Sequence, residues 1–405
     1  MMIGCASSEP AEPGPEAADD GLITVAGTAP SVKLFGRAEP AQPGVCHADR
    51  LLLWLYQTAN AGTSSVPSIS ALSYKGEYLC TDLTSSSNNR TTSHQYSLTV
   101  TGARRNSYGI RGLAYTEADK DLFTATPGGN PTEASLSLNI GAADANAETS
   151  FRCPELFWGN PYVDLSNYTS AGSVGNHDFH YCYRTPASNL NLKAQGKIYR
   201  LVSQYNMIVE NIPAEVVKLE LLATHYPYKV NLYGNGGNHH GTYYPNGWAT
   251  VADCQGNQDV TVKDEEDHDV TVNVPVKTLV ATVVNPSSKE SLSTYLLPSE
   301  VSMALTMRVH YRSGKVKDFP VLPEKSVYMT GQESVYTHVP AALKKGDDAN
   351  AFYIYDGVKQ EFYSYSNVRV NIRADFDNVA AETTNAEIVI EVEPSFAGAH
   401  VFDVS

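Results

Sequence analysis

Apolar side chains in this chain recur at every second residue, and that period limits what it can fold into. The stretch "VSMALTMRVHY" places Val301, Met303, Leu305, Met307, Val309 and Tyr311 on one face, with Ser302, Thr306, Arg308 and His310 on the other. Successive residues of an extended chain point to opposite faces, so this is a half-buried β-strand. "RSGK" (Arg312 to Lys315) then turns the chain and "VKDFPV" returns it, which predicts a hairpin. The same alternation links Tyr96, Leu98 and Val100; Leu136, Leu138 and Ile140; and Val217, Leu219 and Leu221. It returns in Val368, Val370 and Ile372, and in Ile388, Ile390 and Val392. Val270, Val272, Val274, Val276 and Val280 share one phase. Pro275, in the other phase, cannot donate to a ladder, so this strand lies at an edge or carries a bulge. "LLLWLY" (Leu51 to Tyr56) is apolar in both phases, which predicts a central strand covered on each side. A period of 3.6 is sustained nowhere for more than a couple of turns; Tyr115 to Phe123 is the one place for a short helix.

Many strands joined by Ser, Thr, Asn and Gly loops indicate β-sandwiches. With 405 residues the chain suits two domains of ~200 residues each. The polar stretch "RTPASNLNLKAQG" (Arg184 to Gly196) separates two strand-rich halves, and Tyr199, Leu201, Tyr205, Met207 and Val209 open a new run. The expected organisation is a tether over residues 1–20, an N-terminal sandwich over 21–196 and a C-terminal sandwich over 197–405. A net charge of −15 repels phosphate backbones, which excludes nucleic acid as a partner. No apolar run approaches the ~20 residues needed to span a bilayer as a helix.

"MMIGCASSEPAEPGPEAADD" opens the chain with Gly4 beside Cys5, followed by residues that cannot build a core. "IGC" resembles the end of a bacterial lipoprotein signal, in which a small residue precedes a cysteine that becomes diacylated. The charged and apolar regions of a signal peptide are missing ahead of it, so they belong upstream of Met1 or were trimmed. Pro stiffens the stretch that follows and the acids extend it, as a tether requires. Cys5 is therefore the expected lipidation site, carrying palmitate, since two acyl chains give stable anchoring. The other cysteines are Cys46, Cys80, Cys153, Cys182 and Cys254; they form no C-x-x-C pair, and sequence leaves their pairing open.

Few residue groups suggest chemistry. "GNHDFHYC" holds His177, His180 and Cys182, and "GNGGNHHG" adds His239 and His240, but neither has the helical H-E-x-x-H spacing of catalytic zinc. Polar loop tips are the plainer reading. "KDEEDHD" (Lys263 to Asp269) joins two alternating segments and lacks the Gly and spacing of an EF-hand, so it reads as a solvated hairpin tip. No nucleophile motif, P-loop or acid/base pair stands out, so neither an enzyme nor a metal or cofactor is expected. Tyr243, Tyr244 and Trp248 in "GTYYPNGW" could stack on a sugar, giving the alternative of an outer-membrane glycan-binding lipoprotein.

The order of these segments resembles a known family. After the lipobox-like cysteine come "LITV", "VKLFGRAEP", "LLLWLY", "YSLTVTGARRNSYGIRGLAYTEAD", "IPAEVVKLELLATHYPYKVNLYG", "TYLLPS" and "RVHYRSGKVKDFPV". In this the chain is similar to the fimbrillin and fimbrial-anchor (FimB-like) lipoproteins of Bacteroidales. The resemblance implies two transthyretin-like β-sandwich domains in tandem, an outer-membrane lipid anchor and a role in cell adhesion as an anchor or minor subunit of a fimbria. It also implies fimbrial subunits as partners, joined by exchange of β-strands. Arg37 in "FGRAEP" sits where shaft subunits of that family can be trimmed by an arginine-specific protease, whereas anchors are not.

Overall fold

The computed structural model describes residues 22–28, 32–35, 48–59, 71–81, 83–86, 89–92, 95–101, 105–159, 162–164, 169–174, 179–183, 193–232, 250–323, 325–330, 344–345, 348–365, 369–376 and 390–393. The fold is all-β: strands gathered in several sheets, and among the described residues the only helical segments are short 3-10 turns. The helix expected between Tyr115 and Phe123 is a 3-10 turn over Glu117–Leu122. Tyr115 ends one strand and Phe123 begins the next, so the segment has room for little more than a turn. The Asp49 carboxylate accepts from Glu117 N at 2.7 Å and holds its start.

The largest sheet has eleven strands, and Arg50–Ala59 lies between Ser73–Cys80 and Arg105–Tyr115. It matches the second over ten residue pairs, from Arg50 opposite Tyr115 to Ala59 opposite Asn106. Leu51, Leu53, Trp54, Leu55 and Tyr56 are all buried, so both faces are covered, as apolar residues in both phases require. Trp54 meets Trp158 edge to face at 5.6 Å, and Trp158 Nε1 donates to Leu232 O at 3.1 Å. The Trp158 bond ties the sheet to the end of the strand Pro227–Asn231.

A sandwich-like layer pair is built later in the sequence. One layer is a nine-stranded sheet containing Val216–Thr224, Lys277–Val284 and Ser299–Tyr311. The other has four strands, ordered Lys289–Leu296, Ser203–Glu210, Arg369–Asp375 and Ile390–Glu393. Tyr205, Met207, Val209, Val370 and Ile372 bury their side chains in the same core as Leu219, Leu221, Leu305 and Met307. Tyr205 also packs edge-on against Phe362 at 6.3 Å and donates its hydroxyl to Tyr363 O at 2.6 Å.

The predicted hairpin forms, with Ser299–Tyr311 pairing Val316–Pro320. Gly314, at φ +88°, makes the tight turn, and Gly314 N donates to Tyr311 O. Met303, Leu305, Met307, Val309 and Tyr311 are buried, but Val301 is 43% exposed. The pairing with Glu361–Ser364 is irregular between Ser299 and Met303, so Val301 falls outside the regular face.

Three strands that precede Gly196 lie in the same sheets as strands that follow it. Phe123–Thr126 and Ser135–Leu138 join Pro227–Asn231 and Thr250–Cys254 in one four-stranded sheet. Glu148–Ser150 lies parallel to Lys277–Val284 at the end of the nine-stranded sheet. One contiguous core accordingly runs from Trp54 to Phe376.

Candidate strand-exchange site

The strand Val32–Phe35 is built into the eleven-stranded sheet from both sides. It runs parallel to Lys193–Arg200, with Val32 opposite Gly196 and Phe35 opposite Tyr199. On its other side it is antiparallel to Asn89–Thr92, with Leu34 opposite Arg90 and Phe35 opposite Asn89. An interior strand spends its backbone groups on two ladders, and removing it would open a slot two strand spacings, ~9.5 Å, across. Both lips of that slot would carry unpaired N–H and C=O groups, the template on which another strand adds. Four residues form few ladder bonds, each worth only about 1 kcal/mol net, so this strand is held less firmly than a long interior strand such as Arg50–Ala59. Just upstream, Leu22–Thr28 pairs with Gln95–Thr101 in a separate two-stranded sheet. Sequence periodicity does not single out Val32–Phe35, because four residues are too few to show a period.

At the other end of the chain, Ile390–Glu393 folds back onto its own sheet. It pairs antiparallel with Arg369–Asp375, placing Val392 opposite Ile372 and Ile390 opposite Ala374. It is the outermost strand of that sheet.

Several residues named from sequence fall outside this arrangement. Cys5, Arg37, Cys46, His177, His239, His240, Tyr243, Tyr244 and Trp248 lie outside the described residues. His180 and Cys182 sit on the strand Phe179–Tyr183, opposite Tyr108 and Asn106. Among the described residues, no group of three or more His, Cys, Asp or Glu is placed to hold a metal ion. The "KDEEDHD" segment is the tip of a hairpin, and the Asp264 carboxylate caps its turn by accepting from Glu266 N and His268 N at 2.9 Å each. Cys153 and Cys254 carry free thiols. Burial pushes both thiols up from the ordinary range.

Ion pairs that no sequence pattern marks link strands within the nine-stranded sheet. Arg308 takes Glu148 with both terminal nitrogens, at 2.9 and 2.7 Å, and Asp318 at 2.6 and 3.0 Å. Lys277 reaches the same Asp318 at 3.1 Å. The bonds from Arg308 hold the Asp318 carboxyl below its usual range against the opposing effect of burial. Burial drives Glu220 the other way, but hydrogen bonds from Lys218 and His310 outweigh it and leave the carboxyl lowered. Arg200 and Glu155 form an ion pair exposed by only 2% and 5%, with the guanidinium 5.3 Å from the Phe157 ring and 5.9 Å from the Tyr295 ring.

The geometry defines a class: an all-β protein of stacked sheets whose distinguishing features are strand positions. No family model and no curated protein matches the chain. Its structural neighbours are fimbrial and adhesin proteins. One is the tip fimbrial protein Mfa3 from Porphyromonas gingivalis, at 11% identity and a TM-score of 0.37, covering 91% of this chain and 98% of that one. A fimbrial assembly protein from Parabacteroides distasonis is similar at 10% identity and a TM-score of 0.37, covering 92% of this chain and 97% of that one. Likeness of this degree fixes neither family nor function.

Proposed function

We propose that this chain is a fimbrial subunit, an anchor or minor one, that joins its neighbours by β-strand exchange and supports cell adhesion. It would consist of two transthyretin-like sandwiches in tandem, divided near Gly196 and stitched by the strands from 123 to 150. Lipid on Cys5 would hold it to the outer membrane, with residues 1–20 as the tether. The observation that carries the reading is the short interior strand Val32–Phe35, hydrogen-bonded on both sides and two residues ahead of Arg37. A cut after Arg37 would separate that strand from the rest of the chain, along with Cys5. The two fates are therefore exclusive. An uncut chain keeps its lipid and fills its own slot, so it ends a fibre; a cut chain loses the lipid and opens the slot to a neighbour.

The test is the chemical state of the protein extracted from cells. Labelled palmitate on wild-type protein but not on Cys5→Ala, with the mutant released from membranes, supports the anchor. A mature N-terminus at Ala38, abolished by Arg37→Ala, overturns the anchor and makes the chain a shaft-like subunit. Protein with neither lipid nor cleavage, and absent from fimbriae, overturns the reading.

A further inference from the structure

The hairpin Asn257–Lys263 and Asp269–Pro275 forms a two-stranded sheet of its own, with no third strand among the described residues. Its register runs from Asn257 opposite Pro275 to Lys263 opposite Asp269, so the arm is ~23 Å long. Directly opposed residues share a face, which sorts the side chains into two sets. One face carries Val260 opposite Val272 and Val262 opposite Val270, with Val274 nearer the base. At the base this face is sealed: Val260 and Val276 pack with Ala147, and Gln258 Nε2 donates to Asp144 O at 2.8 Å. Toward the tip it opens, leaving Val262 42% and Val270 39% exposed. The opposite face satisfies itself, since Asn257 donates to Asn273 and Asn273 to Asp259, each at 2.8 Å.

A lone two-stranded hairpin is marginal in water, and an exposed valine pair at its far end adds little to its own fold. Among the described residues, its ladder edges are open to a further strand. Charge says what kind. The hairpin carries the carboxylates of Asp259, Asp264, Glu265, Glu266, Asp267 and Asp269 against the single amine of Lys263, which reaches Asp269 at 2.8 Å. A second copy of a chain with net charge −15 would bring like charge to that end. We propose that the hairpin Asn257–Pro275 is a docking arm for an extended segment of another protein in which apolar side chains alternate with Lys or Arg. The apolar set continues the valine face while the basic set meets the carboxylates. This site is separate from the slot beside Arg37 and does not depend on it.

The test uses the full-length chain and two fluorescein-labelled heptapeptides, KVKVKVK and EVEVEVE, read by fluorescence anisotropy. Wild type and Arg37→Ala should bind the lysine peptide alike and ignore the glutamate peptide. The double variant Val262→Thr/Val270→Thr should bind about tenfold more weakly, as should the triple variant Glu265→Gln/Glu266→Gln/Asp267→Asn. Thr keeps the β-branch of an exposed strand residue, so the melting temperature should not change. No binding of the lysine peptide overturns the proposal. So does equal binding by the valine variant, which would mean charge attraction alone. A dimer seen by light scattering in wild type and lost in the valine variant also overturns it, because the occupant would then be a second copy.

Discussion

Two valine- and leucine-rich stretches of this chain, "LLLWLY" and "DVTVNV", both read as strands and both are strands, yet their surroundings differ completely. The first pairs on both sides within an eleven-stranded sheet and buries both faces. The second pairs on one side, half its valine face is open, and a carboxylate-rich turn closes its end. Alternation sets which side chains share a face, but the number of paired edges decides whether that face is covered. Stability should therefore be concentrated around the first stretch and its links to the later sheets, and binding capacity around the second.

The largest effect should come from dividing the molecule. A fragment over 197–405 keeps the proposed domain intact but lacks Ser135–Leu138 and Glu148–Ser150, whose partners lie beyond Gly196, and Phe123–Thr126, which pairs with the first of them. A fragment over 117–405 should melt at a higher temperature and more cooperatively by circular dichroism. If the shorter fragment melts as sharply and as late, residues 197–405 fold without the earlier strands and the proposed boundary near Gly196 holds.

Next, Trp54→Ala removes one ring of the Trp54–Trp158 contact and leaves a cavity in a close-packed core. It should cost about 3–5 kcal/mol, read from the urea midpoint. A loss below ~1 kcal/mol would mean that the two regions are less unequal than their burial implies.

Arg308→Met should cost less, about 1–2 kcal/mol, because Glu148 and Asp318 are about a third exposed and water partly replaces the lost partner. The same network makes an acid test. Asp318 and Glu220 have lowered carboxyl pKa values in the folded state, so their contribution is present above the unfolded value of ~4 and is lost as pH falls through the folded one. Urea midpoints measured from pH 7 down to pH 3 should drop below ~4 in wild type and drop less in Arg308→Met. Equal acid sensitivity of the two proteins would remove Arg308 from the explanation.

The smallest effect belongs to the exposed arm. Val262→Thr should change stability by no more than ~0.5 kcal/mol, since the side chain is already in contact with water. A larger loss would show that the arm is packed in solution, and the contrast between the two regions would fail.

Sequence alone determined the strand character, the faces and the turns. A period of two follows from the pleat itself and survives any tertiary context, which is why the Ser299–Tyr311 hairpin with its Gly314 turn could be foreseen. The run from Asp269 to Val284, read as one edge or bulged strand because Pro275 lacks an N–H, breaks after Pro275: its first half is a strand of the two-stranded hairpin and its second half an interior strand of the nine-stranded sheet. Val301 shows the limit, because its phase matched its neighbours while irregular pairing left it exposed. Only tertiary structure decided which strands meet. Nothing local in "SLSL" or "ETS" says that Ser135–Leu138 pairs with Pro227–Asn231, or that Glu148 closes on Arg308 across 160 residues of chain. Backbone hydrogen bonds are alike at every residue, so a strand carries no address for its partner. The partner is chosen by which faces must be buried together, and that depends on the whole core at once.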